Sequence, residues 1–280
     1  MKDGELIKRA KIASEAGIKI VWIGEFEGFK DPFYVAELIA DFVDFVGFGI
    51  LSPIKRKYNE IFRLLSKFDR KIVVGIAPGN FNNPKEALEM TIDCIKYLKK
   101  RLEVPVLAGC SSPIITKKSS EMADGILFNY VKSEYIRWIS KFVKKKLFIA
   151  AYGPSLILPS EFFEDLLIAS AIVVSSKAFV KEFGFDELFE EIRQIDFQKL
   201  VEIRQMGKSI KHTPDYKILD RYSNILLENF TISGDVNSIT IRIKDLLEHC
   251  NHVILSDPFF RDANSMRLLK HVADVVTNNP

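Results

Sequence analysis

The run VVGIAPGN (73–80) gives up its side chains where an apolar strand would reach its end. The same happens at Gly24-Glu25-Phe26, at Gly49-Ile50-Leu51-Ser52-Pro53, at Gly109-Cys110-Ser111-Ser112-Pro113, at Asn129 and at Tyr152-Gly153-Pro154-Ser155. These stretches are rich in glycine, hydroxyls and amides, and poor in acids, bases and metal ligands. Bare backbone lets something flat lie against the main chain. The four histidines, His212, His249, His252 and His271, fall late in the chain, and there is no Gly-x-Ser-x-Gly elbow, so a Ser-His-Asp hydrolase has no support. His, Cys and carboxylates do not cluster at ligand spacing, so no metal site is expected. Chemistry that needs little proton transfer from side chains suits such ends. Hydride transfer at a bound redox ring is one example, since the cofactor carries the reaction and the protein orients it. Glu25 is the carboxylate of the set, and Asn80 is an amide beside Gly79.

These ends belong to a repeating pattern. Apolar runs at IKIVWIG (18–24), FVGFGIL (45–51), KIVVGIA (71–77), VPVLAG (104–109), DGILFN (124–129), KLFIAAY (146–152) and HVILS (252–256) read as strands covered on both faces, as in a parallel sheet. Helical patterns lie between them, at 5–16, at 84–101 with Pro84 in the first turn, and at 236–249. Strand–helix alternation at this spacing predicts an α/β chain of the (β/α)₈ TIM-barrel type, with ligands at the C-terminal strand ends. No Gly-x-Gly-x-x-Gly fingerprint supports an open dinucleotide-binding sheet. Seven strands are expected rather than eight, and the chain opens on a helix. Between 153 and 251 no strand is expected. Helices at 159–173, 177–192, 195–209 and 215–228 form an insertion, placed at 156–230, before the last strand of a single domain spanning 1–280.

Composition bounds the rest. The chain has 280 residues, 48% of them hydrophobic and 28% charged, with a net charge of +3. That charge is too small to argue for nucleic acid. Lys144-Lys145-Lys146 reads as the C-terminal end of the preceding helix. No segment reaches the ~18 uncharged apolar residues of a membrane helix; LLIASAIVVSS (166–176) reads as a buried helix. The N-terminus is charged and amphipathic, unlike a signal peptide. Three cysteines, Cys94, Cys110 and Cys250, without C-x-x-C spacing fit a reducing cytoplasm. Glutamine occurs only at 194, 198 and 205, a bias that points to a thermophile.

The strand-end strings resemble the luciferase-like superfamily of flavin- and deazaflavin-dependent oxidoreductases. AGIKIVWIGE resembles its second strand, GFGILSP its third, VVGIAPGN its fourth, PVLAGCSSP and EMADGILFN its fifth and sixth, KLFIAAYGPS its seventh, and NFTISGDVNSITIRIKDLLEHCNHVILSDP its closing unit. The methylenetetrahydromethanopterin reductases are the members it is most similar to. The resemblance implies a luciferase-like barrel lacking the family's first strand. It implies the deazaflavin coenzyme F-420, or FMN, as cofactor. At Gly49-Ile50, followed by Leu51 and Ser52, it implies a bulge with a non-prolyl cis peptide that backs the cofactor ring. It places the phosphate-bearing tail at Gly109, Cys110, Ser111 and Ser112, and the substrate side of the ring at Gly79 and Asn80. A homodimer is usual for such proteins.

This sequence departs from the family at several polar positions. Asn80 stands where an acid is usual, and Glu25-Phe26 where an Asp-His pair is common. Glu25 is read either as a substrate-orienting acid or as the partner of Lys30 or another mouth residue. Cys110 lines the cofactor site or packs. Asn129 binds ligand or caps a helix. Trp22 is read as core. The function expected is hydride transfer between F-420 or a flavin and a small organic or pterin substrate. Two alternatives are a degenerate barrel that binds a flavin-like ligand without catalysis, and an FMN-dependent monooxygenase.

Overall fold

The computed structural model describes residues 1–26, 28–68, 71–79, 83–174 and 176–277, in two compact units. The first comprises Met1–Phe128 and Ile139–Ala150. It runs α1 (Asp3–Glu15), β1 (Ile20–Ile23), α2 (Pro32–Ile39), β2 (Phe45–Leu51), α3 (Tyr58–Leu65), β3 (Ile72–Ile76), α4 (Pro84–Lys99), β4 (Val106–Cys110), α5 (Pro113–Ser119) and β5 (Gly125–Phe128). β1 to β5 pair in chain order, and every pairing is parallel. Helices start where the sequence supplies a cap. Asp31 accepts hydrogen bonds from the backbone N–H groups of Phe33 and Tyr34 and opens α2, and Asn83 accepts from that of Glu86 and opens α4, each ahead of a proline.

Neighbouring residues on a strand face opposite sides. The register therefore puts Val46 and Phe48 on the helix-covered face, where the Phe48 ring meets Phe33 at 5.1 Å and Phe68 at 5.8 Å. It puts Trp22, Gly47, Val73, Gly75, Leu107, Gly109, Gly125 and Leu127 together on the other face. Large side chains there sit over small ones. An added Cβ would lie 2.3 Å from the Trp22 ring at Gly47, and 2.5 Å from Leu127 Cδ1 at Gly75. Trp22 thus lies on the glycines of the neighbouring strand, but it is only half-buried and falls outside the buried core where it was expected.

The second unit comprises Asn129–Trp138 and Ala151–Pro280, described to Thr277. It holds most of α6 (Ser133–Ser140) and of β6 (Phe148–Ile157), then α7 (Phe163–Ile172), α8 (Lys177–Phe183), α9 (Asp186–Ile192), α10 (Phe197–Gln205), α11 (Pro214–Arg221) and α12 (Ser223–Phe230). It continues with β7 (Ile232–Gly234), α13 (Val236–Leu247), β8 (His252–Ser256) and α14 (Ala263–Thr277). β7 lies parallel to β6, and β8 also pairs with β6. α7 is buried on nearly every side. Its two acids are answered there: Arg204 and Arg261 donate to Asp165, and Ser209 and the Ile210 N–H donate to Glu164.

Several expectations need correction. The described residues hold eight strands, because Ile232–Gly234 pairs with β6 inside the stretch expected to hold none. Three residues ending in glycine carry too little periodicity to be read as a strand. β6 runs five residues past Tyr152, through Gly153 and Pro154. The glycine is required there, since a Cβ would sit 2.1 Å from Val131 Cγ1. The helix expected at 177–192 breaks at Gly184, which takes φ +72° and ends α8. The helix expected at 215–228 is likewise two, α11 and α12. Lys145 serves the end of α5, donating to the carbonyl of Glu121, and not the helix before it.

Candidate functional site

Within the first unit, the C-terminal ends of β1, β2 and β3 are joined by one hydrogen-bonded chain. Arg56 Nε donates to Glu25 Oε1 at 2.7 Å, and the Ser52 N–H donates to Glu25 Oε2 at 3.1 Å. Ser52 Oγ then donates to the carbonyl of Pro78 at 2.8 Å. Glu25 follows β1, Ser52 follows β2 and Pro78 follows β3, so a buried hydroxyl and a largely buried carboxylate hold three strand ends in one arrangement. Arg56 also reaches Asp31 and, at 3.5 Å, Glu60, and its guanidinium lies 5.3 Å from the centre of the Phe33 ring. One cation is therefore shared among three carboxylates. Burial alone would raise the Asp31 carboxyl, but the Tyr34 N–H and the Arg56 guanidinium outweigh it and hold that group below its ordinary value.

Behind this chain, β2 shifts register between Phe48 and Leu51, and the Gly49–Ile50 peptide is cis, where the resemblance implied one. The Ile50 side chain lies across the neighbouring strands. Its Cγ2 is 3.5 Å from where a Cβ on Gly75 would stand, and 3.1 Å from that position on Gly109. Ile50 and Gly109 thus converge, while Gly47 and Gly49 are covered by Trp22. What remains bare is the rim itself. Among the described residues, an added Cβ at Gly24 would meet the carbonyl of Gly49 at 3.2 Å, and one at Gly79 (φ +72°) would meet Ser52 Oγ at 3.8 Å. Asn80 lies outside the described residues.

The remaining candidates divide by which way they face. Leu51 is fully buried and leaves its carbonyl, which accepts from the Ala77 N–H, at the strand end. Cys110 alternates away from Gly109, and its side chain is buried. Burial pushes its thiol up to about 12, the hydroxyls of Thr116 and Ser119 pulling the other way. Cys110 therefore offers the rim its backbone and not its sulfur. Cys94 is likewise raised to about 12 by burial, and Cys250 is raised as well. A thiol reagent at pH 8 is accordingly expected to label none of the three in the native protein and all three after unfolding. One fast equivalent in the native state would contradict this packing. Ser111 and Ser112 are half-buried, and Ser112 opens α5 without a side-chain capping bond.

Asn129 belongs to the second unit. Its Nδ2 donates to the carbonyl of Val173 at 3.2 Å, which fixes the amide's orientation. Its Oδ1 is buried and has no partner among the described residues. A buried acceptor without a donor is unusual in a native fold. Lys30, weighed as a partner for Glu25, pairs with Asp3 instead. Arg56 was not singled out from sequence. Its i+4 spacing to Glu60 was readable, but Glu25 and Asp31 lie 31 and 25 residues away.

No family profile and no curated protein matches the chain. Solved structures do. The coenzyme F-420-dependent tetrahydromethanopterin reductase from Methanopyrus kandleri superposes with a TM-score of 0.73 at 17% identity, over 99% of this chain and 96% of that one. An F-420-dependent secondary alcohol dehydrogenase in complex with an F-420–acetone adduct gives 0.68 at 12% identity, over 99% and 96%. The EDTA monooxygenase from Chelativorans sp. BNC1 gives 0.61 at 10% identity, over 99% and 87%. The chain therefore shares the α/β fold of these solved structures, the fold class expected from its strand-end strings, with eight strands among the described residues.

Proposed function

We propose that this protein is an oxidoreductase that moves a hydride between the deazaflavin coenzyme F-420, with FMN as the alternative, and a small organic or pterin substrate. The observation that carries this reading is fold likeness along almost the whole chain to two proteins named as F-420-dependent, coupled with a rim that is bare where a planar ring would rest. The residues present fit such a group. Within the first unit, Gly24 and Gly79 put no side chain in its way.

In this reading the backbone of Gly49, Ile50, Leu51 and Ser52 supports one face of the ring. Gly109, Cys110, Ser111 and Ser112 offer N–H groups and hydroxyls to the phosphate-bearing tail, and Gly79 and Asn80 border the substrate. When bound, the coenzyme supplies the hydride chemistry. The protein's part is to orient it and hold the rim in shape. Glu25 has both oxygens engaged, so it positions the ends of β1 and β2 around the ligand. The same engagement favours the second reading, a barrel that binds a flavin-like ligand without catalysis.

Titration of the protein with oxidised F-420 and with FMN separates these outcomes from failure. A saturable change in the ring's visible band at micromolar concentration is expected, with quenching of Trp22 emission that disappears in Trp22→Phe. No binding of either ring would remove the proposal. Binding without turnover of any alcohol or pterin would leave only the second reading.

A further inference from the structure

The loop between β1 and α2 carries two large aromatic side chains that the proposed chemistry does not use. Phe26 and Phe29 are each close to half exposed, and their rings meet edge to face at 5.6 Å. The loop is held at both ends. Glu25 is tied to Ser52 and Arg56, Asp31 is tied to Arg56 and caps α2, the Phe29 N–H donates to the carbonyl of Phe26, and Gly28 takes φ +79°. Aromatic rings left in water on an anchored loop are preorganised to bind. They follow Glu25, whose carboxylate joins the ends of β1 and β2 at the rim. Two rings fall far short of the ~800 Å² per partner that a specific protein interface uses, so their size suits a small molecule. The cations tied to this loop are already committed: Lys30 to Asp3, and Arg56 to Glu25, Asp31 and Glu60. They leave no guanidinium fork for a carboxylate or phosphate.

We infer that Phe26 and Phe29 form the substrate wall, and that the substrate presents an uncharged aromatic or otherwise planar apolar group to it. This rests on the redox reading of the same rim, and the test keeps the two apart. Saturation-transfer NMR with benzyl alcohol and with benzoate, on the full chain with and without F-420, provides it. Benzyl alcohol is expected to bind and benzoate to bind more weakly. Phe26→Ala and Phe29→Ala should each weaken benzyl alcohol roughly tenfold, the scale of one aromatic contact. Ile114→Ala, at an exposed site on α5, should change nothing. A melting curve on each variant checks the fold, and Phe26→Leu replaces any variant that fails it. Unchanged affinity in both Phe variants, benzoate binding as well as benzyl alcohol, or no binding of benzyl alcohol would overturn the inference. Loss of F-420 binding with the benzyl alcohol pattern intact would remove the redox reading and leave the aromatic wall standing.

Discussion

Gly47→Ala is expected to destabilise the protein by about 2–3 kcal/mol, the upper part of the range for overpacking a filled core. The new methyl would stand 2.3 Å from Trp22 Cδ2, 2.4 Å from Cε3 and 2.8 Å from Cε2, so it meets the body of a ring and not the tip of a flexible chain. Removing the ring should remove most of that penalty. Trp22→Leu alone creates a void and loses stability, but in the double variant the two costs should fail to add by about 1–2 kcal/mol. Gly75→Ala provides the contrast. Its methyl would meet Leu127 Cδ1 at 2.5 Å and also the main-chain carbonyl of Phe48 at 2.7 Å. Trimming Leu127 leaves that carbonyl in place, so Leu127→Ala should not rescue Gly75→Ala. Urea unfolding midpoints of the parent and the six variants decide the matter. A Gly47→Ala midpoint equal to that of the parent would mean that Trp22 does not lie on the glycines.

This packing changes what the glycines mean. From the sequence, bare strand ends suggested room for a flat ligand. At Gly47, Gly49, Gly75 and Gly109 the room is taken by Trp22, Leu127, Ala77 and Ile50 of the same chain, whereas among the described residues no side chain covers Gly24, where a Cβ would press on the Gly49 carbonyl, and Gly79 meets only Ser52 Oγ at 3.8 Å. A strand's own residues reveal that it needs a small side chain. They do not reveal who fills the space, because the occupant sits on another strand, 25 residues away for Trp22 at Gly47 and 52 for Leu127 at Gly75. The strands themselves were legible because burial on both faces demands continuous apolar runs. α4 was legible because Pro84 and its apolar stripe both signal a helix. β7 was not, since its pairing with β6 stabilises three residues that have no pattern of their own. The cis peptide at Gly49–Ile50 was legible through the resemblance. The chain from Arg56 through Glu25 to Pro78 did not, because each link joins loops far apart in sequence.

Arg56→Leu should cost about 2–3 kcal/mol at neutral pH, and it tests whether that chain shapes the site. Removing one partner of a buried pair leaves an uncompensated charge, typically worth 3–5 kcal/mol. The value is discounted here because the Arg56 side chain is 20% exposed, against 8% for Glu25. Glu25→Gln should cost less, since the amide oxygen still accepts from the Ser52 N–H and Arg56 keeps Asp31 and Glu60. Joined with Arg56→Leu it should recover part of the loss, with a coupling of about 1–3 kcal/mol. Acid separates the parts further. The Asp31 carboxyl is held below its ordinary value in the fold, so its contribution is present above about pH 4 and fades as pH falls through the lower folded value. Without Arg56 one cause of that depression is gone, and the Asp31 titration should move up toward pH 4. For the ligand the expectations diverge by role. If Glu25 positions strand ends, Glu25→Gln should hold F-420 affinity within about threefold, the scale of one weakened hydrogen bond, while Arg56→Leu releases both loops and weakens it more. Loss of turnover in Glu25→Gln with affinity, stability and the Asp31 titration all preserved would instead make Glu25 a catalytic acid and reduce Arg56 to its counter-ion.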